Sequence, residues 1–149
     1  EKPQDLDEES PPTHVDLGGP ETTILDEGTL QIKKRWRPSP ILLFRFSALS
    51  FNSHLIHYNE SYAKKEGFPG LVVHGPLSEQ LILNVIHYYL GQVAHNKRVM
   101  KKFEYRVNAP LWANQPLEIT LSSGNRGNSE ILAIRVTTVN NPEKTCIES

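Results

Sequence analysis

One cysteine, Cys146, stands in 149 residues. A lone thiol excludes an intramolecular disulfide and a cysteine-based metal cluster, and fits a reducing, intracellular setting. No apolar run approaches the roughly 18 residues of a transmembrane helix, and no signal peptide is visible, so no membrane is expected as a partner. Internal repeats are absent. The basic residues do not interleave with aromatics in any nucleic-acid motif, so no nucleic acid is expected either. The chain opens on Glu1 rather than Met, from which a processed chain or a fragment is expected.

What is present is unevenly distributed. Residues 1–28 hold nine acidic groups against Lys2, a net of −8, whereas residues 29–149 hold fifteen Lys/Arg against eight Asp/Glu, a net of +7. The acidic stretch has few apolar groups to bury and reads as a disordered tail or linker that contributes little to a core. Its Pro, Asp, Glu and Thr content does not resemble an Arg-rich transit peptide. The basic remainder, 29–149, is the size of one domain. Its charge suits a phosphate-bearing ligand or an acidic carrier protein, and equally an ordinary solvated face.

Periodicity gives the elements. Thr29–Trp36 alternates as a strand, Arg37–Pro40 breaks it, and Ile41–Ser47 is a second strand candidate. Asn59 is placed to cap a short helix over Glu60–Glu66, stopped by Gly67. Pro76 suits the first turn of a helix running to about Leu90 and ending at Gly91. Its Leu77, Leu81, Ile82, Val85, Ile86 and Tyr89 form a broad buried stripe. Strands are expected near Val99–Val107, Leu117–Ser123 and Ile131–Val139, with a hairpin at Gly124–Gly127 and a short or missing final edge. The fold class is therefore α+β: one long buried helix with a curved antiparallel sheet around it.

Chemistry concentrates in Phe44–Leu81, FRFSALSFNSHLIHYNESYAKKEGFPGLVVHGPLSEQL. Asn52, His54 and His57 share a short polar stretch. His74-Gly75-Pro76 then opens the buried helix, whose first N–H groups lack intrahelical partners. A glycine there lets a ligand oxygen approach the positive end of the helix. A neutral imidazole beside a polarised carbonyl can move a proton at the adjacent carbon. Each signal has a plainer reading: a His after an apolar stretch is commonly structural, and Gly-Pro is commonly punctuation. His54 and His57 lack a third ligand, so no metal is assigned. His14, His87 and His95 are read as structural or solvent-exposed.

The same segment closely resembles the MaoC-like hydratases, in particular the hydroxyacyl-thioester dehydratase type 2 and mesaconyl-CoA hydratase-like branch. The resemblance is strong over Pro38–Leu81 and diffuse beyond. Where the wider family has Asp-x-Asn-Pro-x-His, this chain has Asn52, His54 and His57, and Phe68–Leu77 resembles the family's loop into the central helix. The resemblance implies a hotdog fold, with the sheet wrapped around that helix, and reversible dehydration of 3-hydroxyacyl thioesters to trans-2-enoyl thioesters without a cofactor. It implies His57 as acid/base, Asn52 as orienting residue, and substrate contacts at Gly75, His74 and His54. The implied substrates are thioesters of CoA or acyl carrier protein, and the implied partner is a second hotdog, as a homodimer or a fused domain. Mitochondrial fatty-acid synthesis is the implied setting. Asn52 in place of Asp removes a titratable group and shifts proton transfer onto His57. Two other readings stay open: a thioesterase using Glu79, and a non-catalytic thioester-binding or dimerisation half.

Overall fold

The computed structural model describes residues 21–24, 30–94, 98–126 and 129–148. Strands β1 (Glu21–Ile24) and β2 (Leu30–Trp36) lead into helix α1 (Pro40–Leu49), a 3₁₀ turn (Leu55–His57) and helix α2 (Glu60–Lys65). Helix α3 (Gly75–Tyr88) follows and runs into a π turn (Tyr89–Val93). Strands β3 (Arg106–Val107), β4 (Leu117–Arg126), β5 (Ser129–Thr138) and β6 (Asn141–Glu148) complete the chain. All six strands join one antiparallel sheet in the order β1-β2-β4-β5-β6-β3.

Register explains the core. Ile32, Leu121 and Ile134 face one another across β2, β4 and β5, and Ile119, Val136 and Ile147 make the next buried rung. Alternate residues carry Lys33, Thr120, Arg135, Glu148 and Arg106 in a row across the opposite face. Period-two alternation thus puts one face of the sheet inside and leaves the other charged. Onto the apolar face packs the α3 stripe: Leu77, Ile82, Val85, Ile86 and Tyr89 are buried in the same cluster, and Leu81 is half-buried at its edge. The helix-and-sheet expectation is met.

Several expectations need correction. Ile41–Ser47 is not a strand but most of α1. Ser39 caps that helix, its Oγ accepting from the Leu42 N–H at 3.2 Å, and Pro40 occupies the first turn. What looks like strand-breaking punctuation at Pro38–Pro40 is therefore a helix start signal. Leu43 and Ser47, four apart, are the buried positions, which is helical spacing.

Part of the expected tail is ordered: Glu21–Ile24 pairs with β2, Thr22 opposite Ile32. Its β-branched Thr22-Thr23-Ile24 suits a strand, and the β2 edge offers unpaired N–H and C=O groups. The rest of the 1–28 segment lies outside the described residues. Within Val99–Val107 only Arg106–Val107 pairs. Gly124 lies within β4, the ladder continuing to Arg126 opposite Ser129, and the hairpin tip itself lies outside the described residues. A full final strand exists, β6, which a sequence poor in alternation at Asn141–Lys144 does not announce.

The core should be costly to open. Replacing Ile82, fully buried on α3, with Ala is expected to destabilise by about 2–5 kcal/mol, and removing the Ser39 cap (Ser39→Ala) by about 0.5–2 kcal/mol. Urea unfolding of this chain checks both.

Candidate active site

Helix α1 ends in a way that presents Asn52. The Asn52 N–H reaches back to the Ser47 carbonyl at 2.9 Å and the Phe51 N–H to Ala48 at 3.4 Å, the paired bonds of a Schellman closure. Phe51 sits at the position usually given to glycine, with φ of 53°, a left-handed conformation that costs a side-chain-bearing residue about 1–2 kcal/mol. Next, the Asn52 Oδ1 accepts the His54 N–H at 3.0 Å, so the carboxamide oxygen is occupied and its NH₂ is left to act outward. The loop is tied by Tyr58, whose hydroxyl donates to the Ser53 carbonyl at 2.8 Å. Asn59 then caps α2, accepting from the Tyr62 N–H at 2.9 Å, and Gly67 closes that helix with φ of 88°.

His57 ends the 3₁₀ turn and is largely buried. Its Nδ1 lies 2.7 Å from the Val72 carbonyl oxygen. A carbonyl only accepts, so Nδ1 carries the proton and the neutral ring presents a lone pair at Nε2. The segment supplying that carbonyl is held on both sides. The Val72 N–H donates to Ile56 at 3.0 Å, Val73 N–H to Leu111 at 2.8 Å, and Ala113 N–H to Leu71 at 2.9 Å.

Two residues later the chain enters α3. Gly75 is its first residue, no side chain caps the helix, and a Cβ built on Gly75 meets nothing within 4 Å. The open N-terminus of α3 borders a cleft of about 340 Å³, walled by Val72, Val73, Gly75 and Ser78 on one side and by Val107–Leu111 and Ile147 on the other. That lining is mainly apolar. It meets the His57 turn through Val72, the residue whose carbonyl holds the imidazole.

The site residues read from sequence thus separate into three settings. His57, Asn52 and Gly75 belong to the polar turn and the helix end. His54 is exposed, its ring edge-on to His57 with centroids 5.8 Å apart. His74 is 1% exposed and lies under His57, rings stacked with centroids 3.7 Å apart and 18° between planes. The residue before a helix start turns its side chain inward here, where the His74 Nε2 meets Ser47 Oγ at 2.8 Å. Ser47 and the Val72 carbonyl are the parts that sequence reading missed. Only a helical reading of Ile41–Ser47 puts Ser47 on the buried face, and a backbone acceptor leaves no residue-type signal. Glu79, the alternative carboxylate, is half-buried and accepts a hydrogen bond from the Tyr105 hydroxyl at 3.1 Å.

Burial holds the His57 imidazole below its ordinary value. The Val72 hydrogen bond opposes that shift and nearby His54 adds to it. His74 is lowered to about 4, by burial first and by His57 second. Between pH 6.5 and about 4 the unfolded chain takes up a proton that folded His74 refuses. Stability is therefore full above that window and falls as pH drops through it. Thermal unfolding should show this decline, and His74→Phe should flatten His74's share of it.

Residues 13–113 match the family described as hydroxyacyl-thioester dehydratase type 2. The chain is 44% identical over 86 residues to the mitochondrial hydroxyacyl-thioester dehydratase type 2 of Schizosaccharomyces pombe, covering 57% of this chain and 28% of that protein. It is 46% identical over 83 residues to the mesaconyl-C(4)-CoA hydratase of Chloroflexus aurantiacus, covering 55% of this chain and 28% of that protein. The chain thus spans just over a quarter of the length of these relatives. Among solved structures, the (R)-hydratase from A. caviae involved in PHA biosynthesis superposes with a TM-score of 0.63 at 17% identity, over 79% of this chain and 88% of that one. That likeness gives the fold, a hotdog. With the family match covering more than half of its residues, the chain belongs to the hydroxyacyl-thioester dehydratase type 2 family.

Proposed function

We propose that the protein of which this chain is part reversibly removes water from 3-hydroxyacyl thioesters, with His57 transferring the proton. The observation that carries this is the Nδ1–H donated to the Val72 carbonyl, which leaves Nε2 of a neutral imidazole as the base. The names of the two curated relatives, a dehydratase and a hydratase, support the same chemistry.

The steps balance on one nitrogen. His57 Nε2 takes the proton from the α-carbon, and the C–H electron pair moves toward the thioester carbonyl, whose oxygen gains negative charge. The Gly75 N–H and the positive end of α3 stabilise that oxygen. As the charge returns, the C–O bond at the β-carbon breaks, and the His57 Nε2–H protonates the departing hydroxyl to water. One base serving both atoms requires that both lie on the same side, so the elimination is syn. The Asn52 NH₂ orients the hydroxyl or incoming water, and the mainly apolar cleft beside Gly75 receives acyl carbons.

The substrate is a thioester of CoA or of acyl carrier protein, the basic character of residues 29–149 suiting either. No cofactor is needed for this chemistry. A second hotdog unit, fused or from another copy, is the proposed partner. It would cover Ile41, Phe44, Leu49 and Phe51, apolar side chains 45–94% exposed beside the site. The mitochondrial name of the S. pombe relative supports a mitochondrial setting. The Tyr105 bond on Glu79 weighs against the thioesterase reading.

In the full-length protein, His57→Ala should lower hydration of crotonyl thioester, followed at the enoyl absorbance, by about 10²–10⁴-fold. Asn52→Ala should lose less, and Asn52→Asp should keep activity. A folded His57→Ala protein that binds acyl thioester and hydrates it at the wild-type rate would overturn the assignment. Binding without hydration by the wild type would favour the non-catalytic reading.

A further inference from the structure

Beneath the proposed base lies a second imidazole that the chemistry above does not use. His74 is buried, stacked on His57, flanked by Phe46 with ring centroids 4.9 Å apart, and held at Nε2 by Ser47. Among the described residues its Nδ1 has no hydrogen-bond partner. A buried histidine with a solely structural task ordinarily has both nitrogens satisfied.

We propose that Ser47 and His74 form a positioning pair for His57, with Ser47 pinning the His74 ring and the His74 ring serving as the uncharged floor that fixes the plane of the His57 imidazole. The inference rests on His57 being the proton-transfer group. During elimination His57 becomes an imidazolium, and a second cation stacked 3.7 Å below it would oppose that step. The Ser47–His74 arrangement prevents this. Protonating His74 would place an N–H at Nδ1, buried and with no acceptor among the described residues, while Nε2–H faces the Ser47 hydroxyl. A serine hydroxyl holds the ring without supplying the negative charge that a carboxylate would bring, and so does not favour the cationic form. The titratable groups acting on this stack are His54, from the same turn as His57, and the two stacked rings themselves. Among the described residues no carboxylate, lysine or arginine acts on either.

Two readouts test this. The first is NMR titration of the His57 imidazole in this chain; the second is kcat and KM of the full-length protein. His74→Ala opens space under His57, so its titration should move up toward 6.5, with kcat falling about tenfold or more and KM changing by less than about threefold. His74→Phe keeps the stack and should retain the wild-type titration and most of kcat. Ser47→Ala should move both readouts in the direction of His74→Ala, by less. A folded His74→Ala chain with unmoved His57 titration would overturn the proposal, as would His74→Phe losing as much as His74→Ala. If His74→Ala does not fold, unchanged titration and kcat in Ser47→Ala would do so. Failure of the functional reading is separable: wild-type turnover in full-length His57→Ala removes the base, whereas the titrations still decide what His74 does to the His57 ring.

Discussion

Everything at the site depends on a single bond, from the His57 Nδ1–H to the carbonyl of Val72. It selects the tautomer, sets the ring's orientation and leaves one nitrogen free for chemistry. A backbone acceptor brings no formal charge, so it orients the imidazole and raises its basicity less than a carboxylate would. Burial outweighs that bond and, with His54, holds the His57 imidazole below its ordinary value.

The bond holds only as well as the Val72 carbonyl is held, and the fold supplies that rigidity from two directions. Ile56, one residue before His57, accepts the Val72 N–H, while Leu71 and Val73 bond to Ala113 and Leu111. Leu71, Val73 and Leu111 are buried, so this small ladder sits in the same core that packs α3 against β4. The helix end carrying Gly75 begins two residues after Val73. Sheet, helix and the His57 turn are therefore joined over a few residues, and positioning error has little chain length in which to accumulate.

How much of this the sequence discloses depends on where the signal lies. The α3 stripe and the Asn59 cap are written in residue types at fixed spacing, and they appear as expected. The motif residues His57 and Asn52 were legible by resemblance, since a His in a polar turn is not distinctive by itself. Ile41–Ser47 fits a strand as well as a buried helix, because Ile41, Phe44 and Phe46 stand in a short apolar run. Arbitration lay in Ser39-Pro40, a cap followed by a first-turn proline. The strand reading hides Ser47, and with it the reason His74 faces inward. Strand β1 was overlooked because the charge of its surroundings outweighed a four-residue β-branched signal. The Val72 carbonyl carries no signal of its own, since every residue has one.

The central claim is that one imidazole nitrogen moves the α-proton. His57→Gln tests it most directly, because a glutamine amide can still donate to Val72 but has no basic nitrogen. The measurement is deuterium incorporation at the α-carbon when the full-length protein hydrates crotonyl thioester in D₂O. The account predicts rapid incorporation by the wild type, and in folded His57→Gln a loss of both incorporation and hydration of about 10²-fold or more. Incorporation at the wild-type rate in His57→Gln would contradict it and move the base elsewhere.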